Sequence, residues 1–199
     1  MFHVEHLERA IEYAGLELDE KQRAQLDSYR DWLIFEAVPA GGIGPNEVDR
    51  VETRHIADSL LFAGFLEDAE EVWDLGSGVG LPGIPLAIAL PHTRFVLVDR
   101  SGRRADLARR AIRILGLENT IVRQAAIEDL QGEVGAIVAR ASLPPEAMAP
   151  IVQRLLRSDG IAVVGGSWTE APLIEGWEII EVPRLVLDRP VWILMMRKP

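Results

Sequence analysis

The sequence contains no cysteine among its 199 residues. Disulfide bonds, zinc sites built from thiolates and cysteine nucleophiles are therefore excluded, and any chemistry must rest on other groups. Histidine is also scarce, and the four residues do not have the spacing of a metal-binding motif. They are His3, His6, His55 and His92. We expect no metal site.

Long apolar runs are missing as well. No stretch approaches the roughly 20 apolar residues that a membrane-spanning helix needs. The first residues also lack the basic segment and apolar stretch of a secretory signal peptide. Hydrophobic residues nevertheless make up 48% of the chain, enough for one well-buried core. We expect a soluble cytoplasmic protein with no membrane contact.

Positive charge is in short supply overall, because the net charge is −10. This balance argues against a protein coated for nucleic-acid binding. The distribution is uneven, however, since residues 94–113 carry seven arginines against two acids. A solvated helix face explains such a run, and a phosphate-binding surface is the alternative.

The most informative stretch is EVWDLGSGVGLPG at 71–83, followed by RFVLVD at 94–99. A short buried strand leads into Gly76, Gly78 and Gly80, and a helix opens at Pro82. Glycine suits such a turn because a Cβ forbids the backbone angles and keeps a ligand away from the main chain. Asp99 ends the second strand, where an acid accepts hydrogen bonds from ribose hydroxyls.

Two classes of ligand use this arrangement. The dinucleotide fingerprint requires a glycine where this chain has Leu81, so its last position fails. The GxGxG pattern that ends in Gly80 instead resembles the S-adenosylmethionine turn of class I methyltransferases. The turn therefore favours S-adenosylmethionine over NAD, and an NAD-linked enzyme stays open as an alternative.

The rest of the chain predicts helices and strands in alternation. Helices are expected at 4–14, from Asp19 to about residue 37, from Asn46 or Asp49 to Phe65, and at 103–115 and 144–156, with a mobile loop at 38–46. Strands are expected at 72–75, 94–99, 120–125, 134–139 and 160–164, with a final hairpin at 177–182 and 190–197. This order predicts an α/β fold with a mainly parallel sheet. Residues 1–66 would form a helical extension packed on a ligand-binding domain at 67–199.

Ligands in such sheets bind beyond the carboxyl ends of the strands, where the strand order reverses. Gly76, Asp99, Ile127, Glu128 and Arg140 all fall at predicted strand ends. Glu128 could equally be a surface acid near a turn. Arg140 could cap a helix or pair with Asp99. The convergence of the five positions predicts a binding site at this edge.

Six runs of sequence resemble the bacterial small-subunit rRNA (guanine-N7)-methyltransferase family, also called glucose-inhibited division protein B. They are LDEKQRAQLDSYRDWL at 18–33, RHIADSL at 54–60, WDLGSGVGLPGIPLAI at 73–88, VLVDRSGRR at 96–104, LGLEN at 115–119 and ARAS at 139–142. The resemblance implies a class I methyltransferase with a Rossmann-like seven-stranded sheet. It also implies methyl transfer from S-adenosylmethionine to N7 of a guanine in 16S rRNA or the small ribosomal subunit, and we expect a monomer.

The resemblance also implies site residues. It places S-adenosylmethionine against Gly76, Leu81, Ile127 with Glu128, and Arg140, while Gly78, Gly80 and Asp99 come from the glycine-turn and ribose arguments above. Arg103 and Arg104 stand where the family has a basic pair and are candidate contacts for rRNA, and Arg54 and Arg123 are further candidates for phosphate contacts. No catalytic acid or base is assigned, because guanine N7 has no proton to lose.

Two departures fall on the substrate side. The loop at 38–46 stands where family members usually carry an Asn-Leu-Thr element. Val164, Gly165 and Gly166 replace a usual Leu-Lys-Gly, so a lysine near the RNA face is missing. A small-molecule methyltransferase and a non-catalytic protein that binds S-adenosylmethionine therefore stay open.

Overall fold

One seven-stranded sheet organises the molecule. The computed structural model describes residues 2–166, 168 and 170–199. Its strands are β1 (Glu71–Leu75), β2 (Arg94–Asp99), β3 (Thr120–Gln124), β4 (Val134–Arg140), β5 (Leu156–Gly165), β6 (Glu178–Val182) and β7 (Val191–Arg197). The predicted strands are thus confirmed, although β5 begins four residues early because Leu156 pairs with Val134.

The strand order is β3-β2-β1-β4-β5-β7-β6. Strands β1 to β5 run parallel to one another, and β7 is antiparallel to both β5 and β6. The predicted mainly parallel sheet with a terminal antiparallel hairpin is therefore confirmed. The order reverses between β1 and β4, and this is the point at which α/β sheets bind ligands.

The helices begin and end at the residues that their sequences favour. They are α1 (Phe2–Tyr13), α2 (Glu20–Trp32), α3 (Asp58–Leu60), α4 (Gly83–Ala89), α5 (Gly102–Leu115), α6 (Pro145–Leu155) and α7 (Arg184–Leu187). Asp19 caps α2, since its carboxylate accepts from the Gln22 N–H at 2.7 Å while the Gln22 side chain accepts from the Asp19 N–H. Gly116 ends α5 in a left-handed conformation.

The segment between α2 and β1 differs from its prediction. A single helix from Asn46 or Asp49 to Phe65 is wrong: the chain forms 3₁₀ turns at Pro45–Arg50 and Ala63–Phe65, a wide π turn at Val51–Ala57, and α3 between them. Pro45 starts this run because a first helical residue needs no N–H donor. Another π turn, Leu33–Ala37, extends α2. The mobility of 38–46 stays a prediction.

Alternate strand residues pack into layers on the two faces of the sheet. Val72, Leu97 and Val138 belong to the layer that also contains the helices before β1, α4 and α5. Trp73 and Val98 belong to the opposite layer, which contains α6. Both faces of the sheet are covered, as parallel strands require. None of the described helices has both the length and the apolar character that a membrane span needs.

The helices before β1 share their core with the sheet. Tyr29 is completely buried, and its hydroxyl donates to the Val79 carbonyl in the turn after β1 at 3.1 Å. The Gln22 amide donates to the Ile88 carbonyl at 2.9 Å, and the Gln25 amide donates to the Leu115 carbonyl at 2.8 Å. The division into 1–66 and 67–199 stays a prediction, and these contacts favour one cooperative unit.

Replacement of Tyr29 tests this cooperativity. We expect Tyr29→Ala to lower the free energy of unfolding by about 3–5 kcal/mol, because it removes a buried ring. Phe35→Ala is the matched control, since the Phe35 side chain is 72% exposed and its loss should cost less than about 0.5 kcal/mol. Denaturant unfolding of the wild type and both variants, followed by circular dichroism, should show coincident transitions in the near-UV and far-UV signals. If the helices of Tyr29→Ala unfolded at a lower denaturant concentration while the sheet unfolded as in the wild type, the shared core would be contradicted.

Candidate functional site

A cavity of about 330 Å³ opens at the carboxyl edge of the sheet, where the strand order reverses. We call it the glycine-turn cavity. It is lined by Gly42, Gly76, Gly78, Asp99, Arg100, Arg104, Ile127, Glu128, Ala141, Ser142 and Leu143. Five of the predicted cofactor residues therefore meet in one place, because each follows or ends a strand of the parallel part of the sheet.

The three glycines of the turn adopt positive φ angles, of 78°, 61° and 108°. The Gly76 and Ser77 N–H groups both donate to the Val98 carbonyl, at 2.8 and 2.9 Å, so the turn is tied to β2. A Cβ on Gly76 would lie 2.3 Å from the Ser142 Cβ. Gly78 has open space beside it, so a ligand can approach the main chain there.

Gly80 and Leu81 support the turn from beneath and do not line the cavity. A Cβ on Gly80 would lie 2.3 Å from the Ile84 Cδ1. Leu81 is buried in the core, and its N–H donates to the Ser77 carbonyl at 2.8 Å. Their direct contact with a cofactor stays a prediction.

Gly83 makes the close helix-to-strand contact of this motif. A Cβ on Gly83 would lie 2.2 Å from the Leu97 Cδ2, so α4 packs tightly on β2. This role belongs to the sixth position of the dinucleotide fingerprint, which is Leu81 here. Sequence reasoning missed Gly83, although the LPG that follows the turn marks it.

Asp99 is buried at the end of β2, and both of its carboxylate oxygens are engaged. Oδ2 accepts from the Gly78 N–H at 2.9 Å. Oδ1 accepts from the Ser101 N–H at 2.8 Å and from the Arg104 Nε and Nη2 at 3.2 and 3.1 Å. A carboxylate has about four lone-pair sites, so Oδ2 can still accept from a ligand hydroxyl. Arg104, a predicted rRNA contact, thus lies in the cavity wall.

The segment after β3 forms another wall. Ile127 and Glu128 belong to a 3₁₀ turn, Ile127–Asp129. Ile127 is 9% exposed and offers an apolar surface, whereas Glu128 is exposed. Arg154 fixes this turn because its guanidinium donates to the Glu128 carbonyl at 3.2 Å. The wall can hold the flat apolar face of a ring.

Arg140 lies in a second, smaller cavity, which we call the Arg140 cavity. Its volume is about 180 Å³, and it is lined by Glu47, Arg54, His55, Asp58, Phe62, Arg140, Ala141, Gly165, Gly166, Val191 and Trp192. Arg140 Nη1 donates to the Arg54 carbonyl at 2.7 Å, and Nη2 lies 3.1 Å from the His55 Nδ1. Ala141 borders both cavities, so they are neighbours. The described contacts of Arg140 are with residues 54–58 and not with Asp99.

His55 is neutral in this environment. Its Nδ1 faces the Arg140 guanidinium and accepts a hydrogen bond, so Nε2 carries the proton, 3.3 Å from the Glu47 Oε2. Burial, together with the positive charges of Arg140 and Arg54, lowers the pKa of His55 to about 3. Its imidazole therefore adds no positive charge to the cavity near neutral pH.

Asp58 is the half-buried acid of the same cavity, with its side chain 15% exposed. Its Oδ2 contacts the Arg189 Nη2 and lies 3.8 Å from the Arg140 Nη1, while Oδ1 has no hydrogen-bond partner among the described residues. Burial raises the pKa of the Asp58 carboxyl, and the two arginines oppose that rise. Asp58 belongs to the RHIADSL run, and the sequence alone did not predict a role for it.

Asp74 is a buried acid of β1 that sequence reasoning also missed. Its Oδ2 accepts from the Gly83 N–H at 2.8 Å, and Oδ1 has no partner among the described residues. Burial raises the pKa of Asp74 to about 7. The sequence does carry a signal for it, because an aspartate between Trp73 and Leu75 in a strand buried on both faces indicates a buried acid.

The predicted RNA-contacting arginines occupy different positions. Arg103 and Arg104 lie in the first turn of α5, and the Arg103 guanidinium lies beside Gly41. Arg123 is exposed on β3 and sits over the Trp73 ring at 5.8 Å. Arg54 borders the Arg140 cavity. Farther along α5, the side chains of Arg109 and Arg110 pair with Asp106 and Glu36, as expected for a solvated helix face.

Residues 22–175 match the GidB family model, described as rRNA small subunit methyltransferase G. The ribosomal RNA small subunit methyltransferase G of Mycolicibacterium gilvum is 40% identical over 136 residues, which are 66% of this chain and 60% of the relative. The protein of the same name from Mycolicibacterium smegmatis is 34% identical over 168 residues, which are 82% and 71% of the two chains. The chain spans 58–60% of the length of three of the curated relatives that it matches.

Solved structures share the fold. An RNA methyltransferase from Salinibacter ruber, in complex with S-adenosyl-L-homocysteine, matches with a TM-score of 0.51 at 18% identity, over 68% of this chain and 86% of that one. At this identity the likeness concerns the fold alone. It confirms the predicted class I methyltransferase fold.

Asp74 and His55 predict opposite dependences of stability on pH. The pKa of Asp74 is raised from 3.8 to about 7, so between these values the folded state holds a proton that the unfolded chain has released. Stability then falls with rising pH, by at most about 1.4 kcal/mol per unit. The pKa of His55 is lowered from 6.5 to about 3, so its contribution to stability rises with pH in that window.

Single variants should expose the two slopes. We consider the unfolding free energy of the variant minus that of the wild type between about pH 4 and 6. This difference should increase with pH for Asp74→Asn and decrease with pH for His55→Gln. Asp106→Asn is the control, because the Asp106 side chain is 77% exposed and lines neither cavity. Urea denaturation at several pH values checks this. Parallel profiles for all four proteins would contradict the assigned environments.

Proposed function

Because the chain belongs to the GidB family of rRNA small subunit methyltransferases G, we propose that it binds S-adenosylmethionine and methylates N7 of a guanine in 16S rRNA. The observation that carries the proposal is the glycine-turn cavity at the switch point of a class I fold, with a buried carboxylate on its wall. The resemblance of the motifs supplies the guanine and its N7 atom.

The residues of the glycine-turn cavity fit this cofactor. Gly78 leaves open space beside its main chain, as close backbone approach requires. Asp99 Oδ2 keeps an acceptor site for a ribose hydroxyl. Ile127 and Glu128 line the wall after β3, where an adenine ring can pack. Gly76 brings Ser142 close to the turn, and Gly80 and Leu81 act by holding the turn in shape.

We assign Arg140 to positioning at the boundary between the two cavities. Its guanidinium lies in the Arg140 cavity, next to Ala141, and contacts the segment that carries Arg54 and His55. A cation there can hold a phosphate or a cofactor carboxylate. Contact with the guanine ring itself would oppose the reaction, because the ring becomes positive as it is methylated.

The chemistry needs no general base. Bound S-adenosylmethionine supplies the methyl group as part of a sulfonium, and its sulfur keeps the electron pair when the carbon–sulfur bond breaks. Guanine N7 uses a lone pair in the ring plane to form the new bond and has no proton to lose. The protein's task is to align nucleophile, carbon and sulfur, which can lower the barrier by several kcal/mol. Catalysis then rests on positioning and electrostatics.

The RNA would approach at the carboxyl edge of the sheet. Arg103 and Arg104 stand at the start of α5 beside the glycine-turn cavity, and Arg54 borders the neighbouring one. We propose these arginines and Arg123 as phosphate contacts, with an unstacked guanine entering from a single-stranded rRNA segment. The partner is then 16S rRNA or the small subunit. The protein would act as a cytoplasmic monomer.

The direct test is methyl transfer. The protein is incubated with radiolabelled S-adenosylmethionine and small ribosomal subunits from a strain that lacks the endogenous activity, and label is mapped by cleavage at N7-methylguanine. We expect label at a single guanine. No label, with S-adenosylmethionine binding intact by calorimetry, would move the function to another substrate or to a non-catalytic role. Binding of NAD instead would point to the NAD-linked alternative.

Asp99→Ala tests the cofactor site. We expect the Kd for S-adenosylmethionine to rise about 10- to 100-fold, because hydrogen bonds to a charged group contribute about 1.5–3 kcal/mol. Asp106→Ala is the matched control, since Asp106 lies on α5 with its side chain 77% exposed. Calorimetry measures both, and near-UV circular dichroism checks the fold. Wild-type affinity in a folded Asp99→Ala protein would remove Asp99 from the site.

A further inference from the structure

The Arg140 cavity holds charged and polar groups that the proposed chemistry leaves without a task. It lies across Ala141 from the glycine-turn cavity and is about half as large, 180 against 330 Å³. The proposed function gives His55 and Asp58 no role in cofactor binding, yet both line this cavity. If the glycine-turn cavity holds the methyl donor, the base that accepts the methyl group must lie in a space next to it, and the Arg140 cavity is such a space.

Stability alone does not account for these groups. The Asp58 carboxylate is desolvated, and apolar side chains that replace every member of a buried ion pair often leave stability equal or higher. Arg189 and Arg140 approach Oδ2 only, so Oδ1 remains a buried acceptor without a partner among the described residues. An unpartnered buried acceptor costs about 1–3 kcal/mol, which a ligand donor would offset.

The chemistry of the cavity selects a flat ligand with adjacent N–H donors. Phe62 and Gly165 form an apolar floor, since a Cβ on Gly165 would lie 2.6 Å from the Phe62 Cζ. Trp192, partly exposed, offers an aromatic side chain at the wall. Among the RNA bases, guanine presents an N1–H and an N2–H side by side. Adenine, cytosine and uracil each pair a donor with an acceptor along that edge.

We propose that the Arg140 cavity receives the guanine, and that Asp58 selects it by accepting hydrogen bonds from the N1–H and N2–H edge. This assignment rests on the proposed methyltransferase function. N7 lies on the side of guanine away from N1 and N2. With that edge on Asp58, N7 faces Ala141 and the glycine-turn cavity, where the methyl group is delivered.

The same contact assists the reaction. As the N7–carbon bond forms, positive charge spreads over the guanine and makes N1–H a stronger donor. A carboxylate on that edge therefore binds the transition state more tightly than the ground state. His55 is neutral and accepts from the Arg140 guanidinium, which also donates to the Arg54 carbonyl. The cation of this cavity is therefore held by residues 54–55 and not by the guanine ring, and the imidazole adds no positive charge. Asp58 would contribute both to selection of the base and to rate.

A base analogue tests the contact from the RNA side. Small subunits are reconstituted with 16S rRNA that carries inosine at the methylated position, because inosine keeps N7 and N1–H but lacks the 2-amino group. For the wild-type protein we expect kcat/KM to fall about 10-fold with inosine. Asp58→Asn should lower kcat/KM with guanine about 10- to 100-fold relative to the wild type. For this variant, kcat/KM with inosine should be less than twofold below its own value with guanine.

Matched controls separate this proposal from the one it rests on. Asp49→Asn alters an exposed acid before the same segment and should keep wild-type rates on both substrates. The Kd for S-adenosylmethionine should stay within twofold in Asp58→Asn, which a collapsed fold would not allow. No methylation of guanine by the wild-type protein refutes the proposed function itself.

Two results would overturn the guanine pocket while leaving the methyltransferase intact. One is an inosine substrate that the wild-type protein methylates as fast as guanine, an outcome that needs no variant to fold. The other is an inosine penalty in Asp58→Asn equal to that of the wild type, because independent losses mean that Asp58 does not contact the 2-amino group.

Discussion

The site depends on how the turn after β1 is fastened to the end of β2. The Val98 carbonyl accepts two N–H groups from Gly76 and Ser77, and the next residue, Asp99, accepts a third from Gly78. Charge-assisted hydrogen bonds to a carboxylate are about twice as strong as neutral ones, so this end of the turn is held firmly. With the turn fixed there, the main chain at Gly78 stays open to a ligand and the cavity is formed before binding.

The segment between α2 and β1 builds the other half of the edge. Its π turn, Val51–Ala57, carries Arg54 and His55 to the Arg140 side chain, and Asp58 follows directly. Wide turns of this kind occur frequently at functional sites. The same segment shares the core of the sheet, so the Arg140 cavity and the glycine-turn cavity are coupled by packing. The helices before β1 belong to that same core.

Local sequence patterns predicted the strands, the glycine turn and Asp99, because apolar runs and glycine spacing reflect contacts within a few residues. Tertiary contacts were not predictable in this way. Arg104 in the first turn of α5 pairs with Asp99 at the end of β2, Gly83 of α4 meets Leu97 of β2, and Arg140 reaches residues 54–58. The predicted helix up to Phe65 failed because helical periodicity does not separate π and 3₁₀ turns from an α-helix. The glycine-turn cavity was thus foreseeable, and the Arg140 cavity was not.

The net charge of −10 does not bar this edge from RNA. Acids such as Glu70 and Glu71 lie at the amino end of β1, whereas the arginines at the start of α5 lie beyond the carboxyl end of β2. A strand of five residues spans roughly 16 Å. The Debye length at physiological salt is about 8 Å, so a phosphate at the carboxyl edge is largely screened from those acids. Arg103 and its neighbours therefore set the local potential, while the acidic remainder disfavours RNA elsewhere on the surface.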